Sequence, residues 1–166
     1  MIRVLVSACL LGERVRYDGG HAACANPVLA RWQKQGRLVP FCPEVAGGLP
    51  VPRRAAEIVG GDGSAVMTGA ARVLDTSGRS VTEHFLLGAR RGLETAVQNG
   101  LRVAILKDGS PSCGSTFVYD GAFSGMRRPG QGVTVALLSE AGIRVFSESG
   151  IEAAAAYVAA LEGSEP

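Results

Sequence analysis

No apolar run in these 166 residues approaches the roughly 20 needed to cross a bilayer as a helix. The opening Met1-Ile2-Arg3-Val4-Leu5-Val6 lacks the basic head and small-residue cleavage pattern of a secretory signal, so the chain is expected in the cytoplasm. Charge of one sign is also missing. The 17 Lys and Arg are dispersed among 15 Asp and Glu for a net charge of +2, and without a basic stripe a nucleic-acid polymer is not an expected partner. No Walker lysine motif or dinucleotide glycine triplet follows a strand, so glycines such as that in Lys107-Asp108-Gly109-Ser110 are read as turn-makers. His21 and His84 are the only histidines and do not stand at metal-ligand spacing, which leaves a zinc site thinly supported. Cys9, Cys42 and Cys113 lie 33 and 71 residues apart, far from the close pairs of zinc ribbons or the compact runs of bacterial ferredoxins.

An apolar fraction of 46% and a mean hydropathy of +0.18 suit a compact fold, and the length suits a single domain over residues 1–166. Arg3–Val6 and Arg37–Phe41 read as short strands. Between them Asn26-Pro27 marks a helix entry, with Val28, Leu29 and Trp32 at helical spacing up to Gly36. A strand–helix–strand crossover of this length pairs its strands in parallel. The stretch from Gly48 to Gly78 is rich in glycine and proline and is expected to form loops around a small hairpin, Ser64–Met67 against Ala71–Asp75. A long helix is expected from Val81 to Asn99, with Gly100 ending it. A strand at Leu101–Leu106, a helix opening at Val133–Leu138, a strand at Ile143–Phe146 and an alanine-rich helix at Ile151–Leu161 complete the pattern. The predicted class is α/β: a small open, mainly parallel sheet flanked by helices in a Rossmann-like three-layer arrangement.

Cys9, Cys42 and Cys113 each sit in a tight loop just past a predicted strand, where open α/β sheets gather their ligands. Three such loops can converge on one crevice, although independent buried thiols are the plainer reading of free cysteines. In a reducing compartment the four cysteines are thiols, metal ligands or redox groups rather than structural disulfides. Glu44, two residues past Cys42, is the best-placed acid/base candidate, against the ordinary role of a surface or capping carboxylate. Ser110 and Ser112 flank Pro111 before Cys113, where hydroxyls can relay a proton or simply build the turn. Arg16, Tyr17 and Asp18 offer groups that read the edges of a small heterocycle, or they satisfy one another within the loop. Arg127-Arg128-Pro129-Gly130 is a solvated charged loop or an aid to binding an anionic substrate.

The segments Ser7-Ala8-Cys9-Leu10-Leu11-Gly12, Arg16-Tyr17-Asp18-Gly19, Phe41-Cys42-Pro43-Glu44, Gly48-Leu49-Pro50, Ser110-Pro111-Ser112-Cys113-Gly114, Gly132-Val133-Thr134 and Val145-Phe146-Ser147-Glu148 together resemble the thiouracil desulfidase family, from Met1 to about Gly150. The resemblance implies a 4Fe-4S cluster held by Cys9, Cys42 and Cys113, with one iron left open to the sulfur of a thiocarbonyl. It implies an enzyme that converts a thiolated pyrimidine, as base or nucleotide, to its oxygen analogue. Glu44 and Ser110 would be catalytic, and Arg16, Tyr17, Asp18 and Ser112 would bind substrate. Cys24 lies outside the matched motifs; as a fourth ligand it would close the cluster and argue for electron transfer. The alternative function is a non-catalytic metal-binding or redox-sensing module.

Overall fold

A computed structural model describes residues 1–164. In chain order its elements are β1 (Val4–Ser7), α1 (Pro27–Lys34), β2 (Leu38–Phe41), α2 (Pro43–Ala46), β3 (Ala56–Val59), α3 (Gly63–Met67), β4 (Arg72–Asp75), α4 (Thr82–Gln98), β5 (Val103–Leu106), β6 (Phe117–Tyr119), β7 (Arg127–Pro129), α5 (Val133–Glu140), β8 (Arg144–Ser147) and α6 (Ile151–Ser164), with 3-10 turns at Ala8–Leu11 and Glu148–Gly150.

The central sheet has the order β2-β1-β5-β8, with every pairing parallel. Its inner strands, Val4-Leu5-Val6-Ser7 and Val103-Ala104-Ile105-Leu106, are buried along their whole length, as a parallel sheet covered on both faces requires. Side chains alternate between the faces. Val4, Val6, Val103 and Ile105 pack with Leu29 and Trp32 of α1 and with Ile151 and Val158 of α6. Leu5, Ala104 and Leu106 pack with Ala96 of α4 and with Val135 and Leu138 of α5. The expected helix-flanked parallel sheet is therefore present. Pro40 lies in β2, an edge strand, where its missing N–H does no harm.

Helix α1 starts where expected: Asn26 accepts a hydrogen bond from the Val28 N–H at 2.8 Å, and Pro27 fills the first turn. The middle segment differs from expectation. Ser64–Met67 is helical, because the Asp62 carboxylate caps α3 by accepting from the Ser64 and Ala65 N–H groups at 3.1 and 3.5 Å. The strand that pairs with β4 is β3, antiparallel, with Ala56 opposite Asp75. A second antiparallel pair, β6–β7, follows the last cysteine loop.

The chain passes from β1 to β2 on one side of the sheet and places β5 and β8 on the other. The carboxyl ends of β1 and β5 thus flank the point where strand order reverses, which is where open α/β sheets leave a crevice for ligands.

Candidate active site

Three loops at the carboxyl end of the sheet build the site. The first leaves β1 as a 3-10 turn holding Cys9, whose carbonyl accepts from the Gly12 and Ala22 N–H groups at 3.2 and 3.0 Å. Ser7, just before it, accepts from the Lys107 N–H at 2.9 Å and so staples this loop to the one after β5.

The second loop is a sharp strand-to-helix turn. Cys42 has extended backbone angles and stands immediately before Pro43, the first residue of α2, which puts Glu44 in that helix's first turn. Helix α2 rests directly on α4 because residue 88 is glycine; a Cβ there would strike the Pro43 carbonyl.

The third loop runs from Lys107 to Thr116 and is organised by two side chains. The Asp108 carboxylate accepts from the N–H groups of Gly109, Ser115 and Thr116 at 3.0, 2.9 and 3.1 Å and from the Thr116 hydroxyl. Burial pushes the Asp108 carboxyl up, but this cage of donors, led by Thr116, outweighs it and leaves the group below its ordinary value. Ser110 Oγ accepts from the Cys113 N–H at 2.8 Å and from the Ser112 N–H at 3.2 Å. The carbonyls of Pro111 and Ser112 then accept from the first N–H groups of α5, Val133 and Thr134, at 2.8 and 3.0 Å, so the loop caps the helix. Gly132 permits this approach, since a Cβ there would lie 2.5 Å from the Ser112 carbonyl carbon.

Cys9, Cys42 and Cys113 line one cleft of about 600 Å³, together with Arg16, Tyr17, Glu44, Ser110 and Ser112. Within it a hydrogen-bond chain runs from Ser110 Oγ to Ser112 Oγ at 3.0 Å and from Ser112 Oγ to Glu44 Oε2 at 2.9 Å; Ser112 Oγ also lies 3.5 Å from Cys113 Sγ. Asp18 is exposed and outside the lining, its Oδ1 accepting from the Gly20 N–H at 2.9 Å, so it shapes the loop that carries Arg16 and Tyr17. Cys24 packs against the hydrophobic cluster on the α1/α6 face, away from the cleft. Neither histidine lines the cleft: His21 Nδ1 accepts from the Ala23 N–H, and His84 Nδ1 lies 2.8 Å from the Gly47 carbonyl oxygen. Arg127 lies in the cleft wall with its guanidinium carbon 4.2 Å from the Phe117 ring centroid, whereas Arg128 is not among the lining residues.

The thiols feel one another. Burial first, then the negative charges of Glu44, Cys42 and Cys9, push the Cys113 thiol up to about 12, against the pull of the Ser112 hydroxyl. Cys9 is pushed up to about 11 by burial and then by Cys42, with Arg16 and Lys107 opposing. Cys42 is raised by burial and Glu44, with backbone N–H groups and Arg53 opposing. Three soft donors thus share one pocket, and burial is the main reason that each thiol holds its proton there. Among the described residues no three His, Cys, Asp or Glu side chains converge closely enough for a single metal ion. Cys9, Cys42 and Cys113, soft donors lining one cleft, are the residues present whose chemistry suits an iron–sulfur cluster.

Sequence reading missed Arg53. Its side chain is only 6% exposed, and its Nε lies 3.1 Å from Glu44 Oε1. In Pro52-Arg53-Arg54 nothing distinguishes the inward arginine from its outward neighbour. The wall formed by Phe117 and Tyr119 was missed as well; their short strand carries the alternating pattern of a half-buried hairpin, but over only three residues.

Known proteins resemble this chain over most of its length. The uncharacterized protein YbbK of Bacillus subtilis (strain 168) is 45% identical over 146 residues, spanning 88% of this chain and 95% of its own. A solved structure of the 4Fe-4S-dependent thiouracil desulfidase TudS is 43% identical and superposes with a TM-score of 0.88, covering 96% of this chain and 99% of that one. The model of the family described as 2-thiouracil desulfurase matches residues 4–150, and the chain belongs to that family.

Proposed function

We propose that this chain is an iron–sulfur enzyme that hydrolyses the C=S bond of a thiolated pyrimidine such as thiouracil. Water adds at the ring carbon, the C=O analogue forms, and sulfur leaves as sulfide with no net oxidation or reduction. The observation that carries this reading is the meeting of three thiols and the Glu44–Ser112–Ser110 chain in one cleft. Family membership and the likeness to TudS support it. Residues 1–166 act as one domain, since the cleft draws residues from Ser7 through Arg127.

Cys9, Cys42 and Cys113 would hold a 4Fe-4S cluster. When bound, such a cluster supplies a thiophilic Lewis acid for the departing sulfur. Glu44 takes a proton from the attacking water, either directly or through the serines. Its Oε1 is held by Arg53, while Oε2 already accepts from Ser112. Ser110 Oγ accepts two N–H groups, so its own hydroxyl hydrogen is free to be donated to Ser112 or to the substrate. Ser112, almost fully buried, contacts the substrate side of the cleft and passes the proton onward. Arg16 and Tyr17 read the edge of the heterocycle, Asp18 sets their loop, and the Phe117–Tyr119 wall offers an apolar face to the ring. Arg127 at the same wall gives the site reach toward the phosphate of a nucleotide substrate.

The test is turnover under anaerobic conditions. Cluster-loaded protein incubated with 2-thiouracil, 4-thiouracil or their nucleotides is expected to yield the corresponding uracil species and an equal amount of sulfide. Loaded protein that leaves all of them intact would contradict the proposal.

A further inference from the structure

Arg53 sends its donors to three separate segments. Nε reaches Glu44 Oε1 at 3.1 Å, Nη2 reaches the Val15 carbonyl at 2.9 Å, and Nη1 reaches the Pro50 carbonyl at 3.1 Å. Its backbone N–H adds a bond to the Tyr17 carbonyl at 2.7 Å. Val15 and Tyr17 bracket Arg16 in the loop that enters the cleft, and Glu44 lies in α2 beside Cys42. One buried guanidinium therefore ties the cleft loop to the carboxylate.

The shape of the guanidinium matters. The last torsion of a glutamate is soft, so a carboxylate held at one oxygen only turns readily. Arg53 fixes Oε1 while Ser112 donates to Oε2, and together they set the carboxylate plane. A lysine ammonium at the same position is a point charge on a flexible stem and does not reproduce the planar fork. Arg53 and Glu44 also line both the main cleft and a smaller hollow of about 180 Å³, so the pair stands between the two. Arg54, the next residue, lines only the smaller hollow and is exposed, which makes it a natural control.

We propose that Arg53 is a positioning residue for desulfuration: its guanidinium holds Glu44 with Oε2 toward Ser112 and locks the Arg16–Tyr17 loop to the same wall. This inference rests on the function proposed above. Arg53 touches neither the reacting carbon nor the leaving sulfur; it acts through Glu44 and through the loop.

The experiment compares cluster-loaded wild type with Arg53→Met, Arg53→Lys, Arg54→Met, Glu44→Gln and the double variant Arg53→Met/Glu44→Gln, using 2-thiouracil as substrate. Arg53→Met is expected to keep the iron content and visible spectrum of wild type while kcat falls roughly 100-fold and KM rises a few-fold. Arg53→Lys should recover only part of the loss, and Arg54→Met should match wild type. In the Glu44→Gln background Arg53→Met should cost less than about threefold more, since the two residues act as a unit. Apart from turnover, amide exchange over Val15–Asp18 in the metal-free protein should be roughly tenfold faster in Arg53→Met than in Arg54→Met. Wild-type kcat in Arg53→Met, the same fold-loss with and without Glu44, or unchanged exchange in the loop would each overturn the inference while leaving the function standing. If Arg53→Met fails to load iron, wild-type kcat in Arg53→Lys overturns it instead. Loaded wild type that leaves thiolated pyrimidines untouched removes the function and the inference together.

Discussion

A carboxylate with both oxygens already engaged lies at the centre of the site. Glu44 accepts from Arg53 on one oxygen and from a buried serine on the other, so its orientation is settled before any substrate arrives. Glu44→Gln preserves shape, and the amide oxygen still accepts from Arg53, but its NH₂ cannot accept the Ser112 proton. The variant is expected to keep its iron and lose roughly 10²–10⁴ in kcat, with a smaller change in KM. Steady-state kinetics within twofold of wild type would remove Glu44 from the chemistry. Glu44 was legible because it follows Cys42-Pro43 at the end of a strand, whereas Arg53 was not, since its role depends on a loop folding back over 38 residues to the Val15 carbonyl. Asp18 stands apart from the other expected site residues, exposed and outside the cleft lining. Its Oδ1 accepts from the Gly20 N–H and so shapes the loop that carries Arg16 and Tyr17.

Among the elements, the loop between β5 and β6 is the one that carries Cys113 into the cleft. It has almost no regular structure, so its backbone donors depend largely on side chains, and the Asp108 carboxylate takes three of them. Asp108→Ala leaves several of these N–H groups without a partner and is expected to destabilise the metal-free protein by roughly 2–4 kcal/mol in urea melts. The sign of the pH effect follows from the lowered carboxyl pKa. The stabilisation is complete above the unfolded value near 3.8 and disappears as pH falls through the lower folded value, so the gap between wild type and variant should be full at pH 7 and close in strong acid. A gap that stays constant down to pH 2 would show that the charge is not the cause. The long helix α4, its end near Gly100 and the entry to α1 were legible because apolar period and caps agree there. The middle hairpin was only half legible. Asp62-Gly63-Ser64 is a helix start that a glycine-rich stretch disguises as a turn, and Ala56–Val59 was hidden by the two arginines before it.

Over the whole molecule, the fold explains why cysteines so far apart in sequence line one cleft. Buried, uninterrupted apolar runs specify β1 and β5 as inner parallel strands, and that topology brings the loops after β1, β2 and β5 to one end of the sheet. Strand order made this much legible; the cleft wall from β6–β7 was not, because three-residue strands carry too little pattern. The resemblance to the thiouracil desulfidase family and the α/β class both agree with the family match and the structural neighbour. Among the described residues no helix is long and apolar enough to cross a membrane. The central claim, three thiols on one cluster, is tested most directly by iron and acid-labile sulfide per chain after anaerobic reconstitution of wild type and the four Cys→Ser variants. Wild type and Cys24→Ser should each hold about four irons and four sulfides, with Cys9→Ser, Cys42→Ser and Cys113→Ser each falling far below. A full complement of iron in Cys42→Ser, or its loss in Cys24→Ser alone, would contradict the claim.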